Sequence, residues 1–561
     1  MLEGLEGLVA QSLVGQVEDP GGEPRFRMLE TVREYALERL EQSGEADAVR
    51  ARHAAYYLAL AEQVAPALRE AQRAAWVDRV EREHDNLRAA LRWAIERGQA
   101  GDAAAAEVGL RLAAALAWFW RGQGYLSEGR HWLEALLALP AAPRTPARAQ
   151  ALLAAGLLAW RAGDLGPARA RHEASLALWR ELGDRPGTAQ ALAELADVAI
   201  KGGDYAAARA LAAECLALER EVGDRPGIGF ALFLLGVAVF YAGDAAAARA
   251  HLEASLALAR GSGDPRGAAR ALTSLARIAH HRGELAEARA RHEASLAVSR
   301  EAGDRWGAAS SLASLGLVAA AQGEWPAARA HLEASLTVAR QSGDREGVTR
   351  ALHGLGGLAY AQGDYAAAGA LYEASLARAR EVGGEEPIAA VLLGLGRAAR
   401  EQGDWARARA WLEESLAVWR AVGDQRACAQ VLALLGDLAR RAGDGARAAA
   451  LFRESLALYQ EHPSARGRTA WAAALVGLAG AAPHPARAAR LLGAADALVE
   501  GISLPMDAAD REEHARVVAA LRAGPGGATD PALAAARAAG RAMPLDEALA
   551  YALEEAPAPA A

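Results

Sequence analysis

Lysine is all but missing from this 561-residue chain: Lys201 stands alone, and arginine carries every other fixed positive side-chain charge. A phosphate-cradling G-x-x-x-x-G-K-[ST] loop needs a lysine behind glycine, and Lys201 is not in such a setting. The bias itself reads as genomic composition rather than function. Cysteine is nearly as scarce: Cys215 and Cys428 lie far apart, so neither a disulfide framework nor a metal site follows. Six phenylalanines leave the packing to alanine and leucine. A basic excess is also lacking; the net charge is −8 and the sequence pI about 6.0, which argues against general nucleic-acid binding. The start, Met1-Leu2-Glu3-Gly4, has no basic leader segment. The most apolar stretch, Ala103 to Trp120, is broken by Glu107 and Arg111 and is not expected to span a membrane. A soluble cytoplasmic protein is the expectation.

What the chain has is regularity. From about Arg161 to Glu461 a unit of 40 residues recurs, marked eight times by Gly163-Asp164, Gly203-Asp204, Gly243-Asp244, Gly283-Glu284, Gly323-Glu324, Gly363-Asp364, Gly403-Asp404 and Gly443-Asp444. Twelve residues after each glycine stands a small residue followed by leucine: Ser175, Cys215, Ser255, Ser295, Ser335, Ser375, Ser415 and Ser455. A second glycine column runs Gly183, Gly223, Gly263, Gly303, Gly343, Gly383 and Gly423.

Between the glycines lie Ala, Leu, Arg and Glu, which favour helix. Each unit therefore reads as two helices. Glycine takes the left-handed position past a helix end, and the following acid caps the next helix and suits its positive pole. In the first helix of one repeat, roughly Gly229 to Tyr241, Leu232, Leu235, Gly236 and Val239 share a face. The second helix offers a matching stripe of Ala248, Leu252, Ser255 and Leu256. A two-helix unit cannot bury such stripes alone, so the units must stack into a solenoid, an all-α fold that escapes the size limit of a single core.

These residues resemble the tetratricopeptide repeat family. Its Leu-Gly step matches Leu235-Gly236, Leu315-Gly316, Leu355-Gly356, Leu395-Gly396 and Leu435-Gly436, and its turn and following alanine match Gly243-Asp244 and Ala248. The family's aromatic positions are mostly Ala, Val or Leu here, and the unit is longer than the common form.

Residues 1–29 differ: an amphipathic segment (Leu2, Leu5, Leu8, Val9) leads into an expected β-hairpin turning near Asp19-Pro20-Gly21-Gly22. Residues 30–139 read as a helical connector and a degenerate first repeat around Trp118-Phe119-Trp120, residues 140–462 as the array, 463–555 as divergent capping helices, and 556–561 as a disordered tail. Helices are expected around Asp510–Leu521 and Leu545–Leu553, joined through Gly524-Pro525-Gly526-Gly527. The stretches Phe26-Arg27-Met28-Leu29-Glu30-Thr31-Val32-Arg33-Glu34-Tyr35-Ala36 and Glu83-His84-Asp85-Asn86-Leu87-Arg88 resemble the end of the winged-helix module and the connector in bacterial regulatory ATPases of the STAND class. The resemblance implies a sensor array, here without the nucleotide-binding core that precedes it in that family.

Reactive chemistry finds little purchase. His172-Glu173 and His292-Glu293 begin a zinc-protease pattern, but no second histidine follows four residues on, and both are expected on the exposed side of their helices. Gly354-Leu355-Gly356-Gly357 lies within a helix rather than after a strand, so it reads as packing. Adjacent His280 and His281 diverge by 100° and do not face one metal. The sequence implies no cofactor and no enzyme.

Recognition is better supported. The first helix of each repeat has a second face, which by resemblance to the family lines the concave groove. In one repeat it carries Phe230, Phe233, Val237, Phe240 and Tyr241; others present Arg270, Arg277 and His281, then Arg350, His353 and Tyr360, then Arg397 and Arg400. Along this face nine positive side chains stand against three negative ones. The expectation is a groove whose aromatic patch anchors an apolar side chain while the Arg/His stretch holds acidic groups of a peptide or protein segment. The alternative is the sensor part of a STAND-class transcriptional regulator answering a small-molecule or protein signal.

Overall fold

A computed structural model of the chain describes residues 2–18, 24–68, 74–140, 144–382, 385–460, 465–482, 484–500, 508–523 and 531–554. The hairpin tip, Gly383, the Gly524–Gly527 connection and the tail from residue 556 lie outside them. The chain divides into two compact units, residues 1–119 with 131–151 and residues 120–130 with 152–561.

The first unit opens with helix α1 (Leu2–Ala10) and an antiparallel hairpin, β1 (Val14–Glu18) with β2 (Pro24–Met28), in which Val14 opposes Met28. Then come α2 (Glu30–Gln42), α3 (Ala46–Leu68), α4 (Ala74–Arg82), α5 (His84–Gln99), α6 (Ala103–Gln123) and α7 (Leu126–Leu137), of which residues 120–130 belong to the second unit. Arg25 of the hairpin donates to the Arg82 carbonyl at 3.2 Å and pairs with Glu83 at 2.8 Å, which ties β2 to the end of α4. By length and composition α6 is apolar enough to cross a membrane, yet 56% of that window is buried inside the protein.

The repeats follow in pairs: α8 (Pro146–Ala162) and α9 (Leu165–Leu182), α10 (Arg185–Lys201) and α11 (Tyr205–Val222), α12 (Arg225–Tyr241) and α13 (Ala245–Ser262), α14 (Pro265–His281) and α15 (Leu285–Glu301). The series continues with α16 (Arg305–Ala321) and α17 (Trp325–Gln341), α18 (Arg345–Ala361) and α19 (Tyr365–Val382), α20 (Glu385–Glu401) and α21 (Trp405–Val422), α22 (Gln425–Arg441) and α23 (Gly445–Gln460). The first helices begin four residues earlier than their hydrophobic stripe suggests, at Arg225 rather than near Gly229, because the cap lies at Asp224.

Local chemistry sets the junctions. Every glycine of the first column has φ between 77° and 102°, a region where a side chain is strained. Asp184, Asp244 and Asp264 accept the backbone N–H three residues on at 2.7 to 2.9 Å. Glu284 and Glu324 make no such bond, and they meet Arg249 and Arg289 instead. One extra methylene carries the carboxylate past the helix end.

Two interlocks recur along the array. The hydroxyl in the small-residue column donates to a carbonyl of the preceding helix: Ser255 to Gly229 at 2.7 Å, Ser335 to Ala309 at 2.7 Å, Ser415 to Ala389 at 2.8 Å. The glycine of the Leu-Gly step makes room for a large side chain. A Cβ at Gly316 would stand 2.6 Å from Leu332, at Gly356 2.7 Å from Tyr372, and at Gly156 2.4 Å from His172. His172 and His292 are thus buried, 0% and 5% exposed, and not on the exposed side as the sequence reading placed them. They occupy the column filled elsewhere by Leu252, Leu332 and Leu412. Gly354 and Gly356 lie inside α18 against Leu332 and Tyr372, as packing.

Beyond the array, α24 (Ala465–Ala481) and α25 (Pro485–Glu500) form one more pair, followed by α26 (Ala508–Ala523), α27 (Pro531–Arg541) and α28 (Leu545–Leu553). Helix α27 is not among the helices expected from the sequence. It crosses α25 closely, with Gly493 against the Arg537 carbonyl and Gly540 against that of Arg490. Asp496 ties this end together, meeting His514 at 2.8 Å and Arg537 at 2.9 Å.

Candidate binding face

The face opposite the buried stripe of the first helices carries an ordered series of aromatic and arginine side chains. On α12, Phe230 and Phe233 stack with centroids 6.1 Å apart. Arg270, one repeat on, lies over both, at 4.6 and 5.5 Å. Two helical turns further, Arg277 lies 5.2 Å from the Tyr241 ring and 5.9 Å from Phe240. Its guanidinium also donates to the Tyr241 hydroxyl at 3.0 Å. Tyr241 stacks on Tyr205 of α11 at 5.2 Å, and His281 meets Phe240 edge-on at 5.5 Å. The pattern recurs where Arg350 lies 5.5 Å from Trp306 and Arg397 4.8 Å from Tyr360. His353 sits beside Tyr372 at 5.5 Å. The two groups expected to serve separately, rings for apolar anchors and arginines for acids, are therefore combined.

This face turns inward within its own unit. Arg161 at the end of α8 pairs with Glu346 in the first turn of α18, five repeats on, and Lys201 of α10 stands 3.8 Å from Glu386 of α20. Lys201 also lies 4.8 Å from the Trp160 ring. Enclosure shows in the electrostatics. Burial lowers the pKa of Arg270 and Arg350, lowers that of His353, and raises those of Tyr360 and Asp197. Arg270 and Arg277 nonetheless remain solvent-exposed, while Phe230, Phe233, Phe240, His281, Arg350, His353, Tyr360 and Arg397 are half-buried.

Arg400 stands apart. It is only 8% exposed and is held by Glu401 at 2.6 Å and Asp437 at 3.6 Å, so it is committed to its own array. Arg440 and Arg441 also meet Asp437, at 2.8 and 3.0 Å. With Glu346 and Glu386 opposite Arg161 and Lys201, the positive excess concentrates between α14 and α20, on Arg270, Arg277, Arg350 and Arg397. Trp306, Glu346 and Glu386 escaped the sequence reading because it started each first helix one turn late. A consistent reading of the Asp caps recovers that turn.

Stacked helical hairpins presenting a continuous inner face define a repeat scaffold for recognition. The tetratricopeptide repeat model matches residues 147–221, 194–261, 228–301, 267–341, 307–381 and 387–461, more than half the chain. The chain belongs to the tetratricopeptide repeat family. It is also 41% identical over 197 residues to proteins of Mycobacterium tuberculosis and Mycobacterium bovis provisionally named HTH-type transcriptional regulators. That match covers 33% of this chain and 21% of theirs, so the chain spans about a fifth of the length of these relatives. Among solved structures, a Rap protein complexed with Competence and Sporulation Factor aligns with TM-score 0.47 and 13% identity, over 67% of this chain and 100% of that one. A STAND protein with a tetratricopeptide repeat sensor from Pyrococcus horikoshii gives 0.42 and 15%, over 74% and 58%. Structural likeness at this level carries no argument, and the family assignment rests on the repeat match.

Proposed function

We propose that the chain is a non-enzymatic recognition scaffold that takes an extended peptide or protein segment, acidic with an apolar anchor, along the inner face of its first helices. The observation that carries this reading is the series of arginines seated on the aromatics of the preceding repeat. Stacking on a ring holds a guanidinium in place while its N–H groups point edgewise in the plane, where a carboxylate is bound bidentately. The stacking thus lowers the ordering cost of binding. Phe230, Phe233, Phe240, Tyr241, Arg270, Arg277, His281, Arg350, His353, Tyr360 and Arg397 make up the contact set, with Arg400 excluded by its internal ion pair. A peptide-display selection on the full chain tests it. Enrichment of acidic sequences with aromatic or aliphatic residues supports the reading, and enrichment of basic sequences contradicts it.

The identity to regulators of which this chain matches 21% favours a second reading, in which the array is the sensor of a longer regulatory protein and its ligand is a signal, small molecule or protein. Finding an in-frame nucleotide-binding motif upstream in the genome would support that reading.

A further inference from the structure

One core column of the second helices runs Trp179, Glu219, Ala259, Ser299, Ala339, Ala379 and Trp419, all buried beneath the next repeat. Glu219 is its single charged member. Glu219 is 9% exposed as a residue, and its carboxyl has no hydrogen-bond or ion-pair partner among the described residues. An unpartnered carboxylate in a packed column is a cost that any neutral residue would remove.

The surroundings show what the position gains. A cavity of about 490 Å³ opens between α10, α11 and α12, and Glu219 lines it together with Glu194, Cys215, Asp224 and Phe230. No basic side chain is among its described lining residues. Gly227 makes the arrangement possible: a Cβ there would lie 2.4 Å from the Glu219 carboxyl group. Asp224 is occupied with the Gly227 N–H at 3.2 Å as the cap of α12. Glu194 faces the charge of Arg270, which leaves Glu219 as the lining carboxylate without a partner of its own. The volume exceeds that of a bare ion and suits a small organic group.

We propose that this cavity binds a primary ammonium group, with the Glu219 carboxylate receiving the charge and Phe230 and Val222 flanking the attached carbon chain. The burial and the Asp224 charge that push the Glu219 carboxyl up are both offset when a cation arrives. The same chemistry is offered by a free alkylamine or by a lysine side chain of a partner. The cavity shares Phe230 with the inner face, where Arg270 covers that ring, but Glu219 and Gly227, the residues whose substitution tests the site, lie outside the inner-face contact set.

Calorimetric titration of the full chain with n-butylammonium chloride and with N-acetyl-lysine methylamide tests the site. Native protein is expected to bind at least one of them in the millimolar range or tighter. Glu219→Gln and Gly227→Ala should each weaken that binding about tenfold or more; the added methyl displaces only the flexible end of Glu219. Binding of the lysine derivative points to a protein partner, and binding of butylammonium alone to a small amine. Glu219→Ala, the residue this column carries at Ala259 and Ala339, should melt above the native protein while losing the ligand. Equal affinity in native and variant proteins, no binding of either amine, or a lower melting temperature for Glu219→Ala would each overturn the proposal.

Discussion

The guanidinium of Arg270 sits 4.6 Å from the centre of the Phe230 ring, placed there by adjacent repeats in register. Ring and cation form one surface, apolar beneath and charged at the edge, and the same pairing recurs at Arg277 with Tyr241 and at Arg397 with Tyr360. Repetition of the backbone unit thus repeats a chemical unit.

If these arginines serve recognition, stability and binding should separate. Arg277→Ala removes exposed ring contacts with Phe240 and Tyr241 and hydrogen bonds to the Tyr241 and Ser274 hydroxyls, and should cost less than ~1.5 kcal/mol. Leu235→Ala empties a site that is 9% exposed and should cost ~2–5 kcal/mol. Chemical denaturation of both variants checks the contrast.

Glycines inside helices divide by what faces them. Gly369 has only the Gln402 amide within reach, at 3.8 Å, so Gly369→Ala should stabilise by about 0.5–1 kcal/mol through helix propensity. At Gly396 a methyl would meet Leu412 at 2.6 Å, so the same substitution should destabilise by ~1 kcal/mol or more, overpacking exceeding propensity. Thermal melts of the two variants should shift in opposite directions.

Acid should loosen the array through its buried histidines. Burial pushes His172 down to about 4 from 6.5, and His292 likewise. The unfolded chain then takes up the proton first, so stability is full above about pH 6.5 and is lost as the pH falls toward 4. His172→Leu, which restores the leucine of the other repeats, should gain ~2–3 kcal/mol relative to native protein at pH 4.5 and much less at pH 7.5. Denaturant titrations at the two pH values measure this difference.

What the sequence disclosed was the chemistry that acts within one repeat. Gly243 needs a left-handed backbone and Asp244 caps the next helix, and both requirements are visible in the residue type. Ser255 could be recognised as small, but its bond to the Gly229 carbonyl depends on how two helices cross. His172 was misplaced because a histidine beside Glu173 looks like surface; its alignment with Leu252 and Leu332 carries the signal. The meeting of Arg161 with Glu346 depends on small rotations accumulated over five repeats, which no single repeat encodes. Glu219 was passed over for a similar reason, since only the column of equivalent positions marks it as out of place.

The central claim is that the inner arginine–aromatic series is the working surface. The direct measurement is the affinity, by fluorescence anisotropy, of a display-selected acidic peptide for the native chain and for an Arg270→Glu, Arg277→Glu, Arg397→Glu variant whose helicity and melting temperature match the native protein. The account expects binding to fall by about two orders of magnitude or more, ~3 kcal/mol, from three lost charge-assisted contacts. Affinity unchanged in a folded triple variant would contradict it.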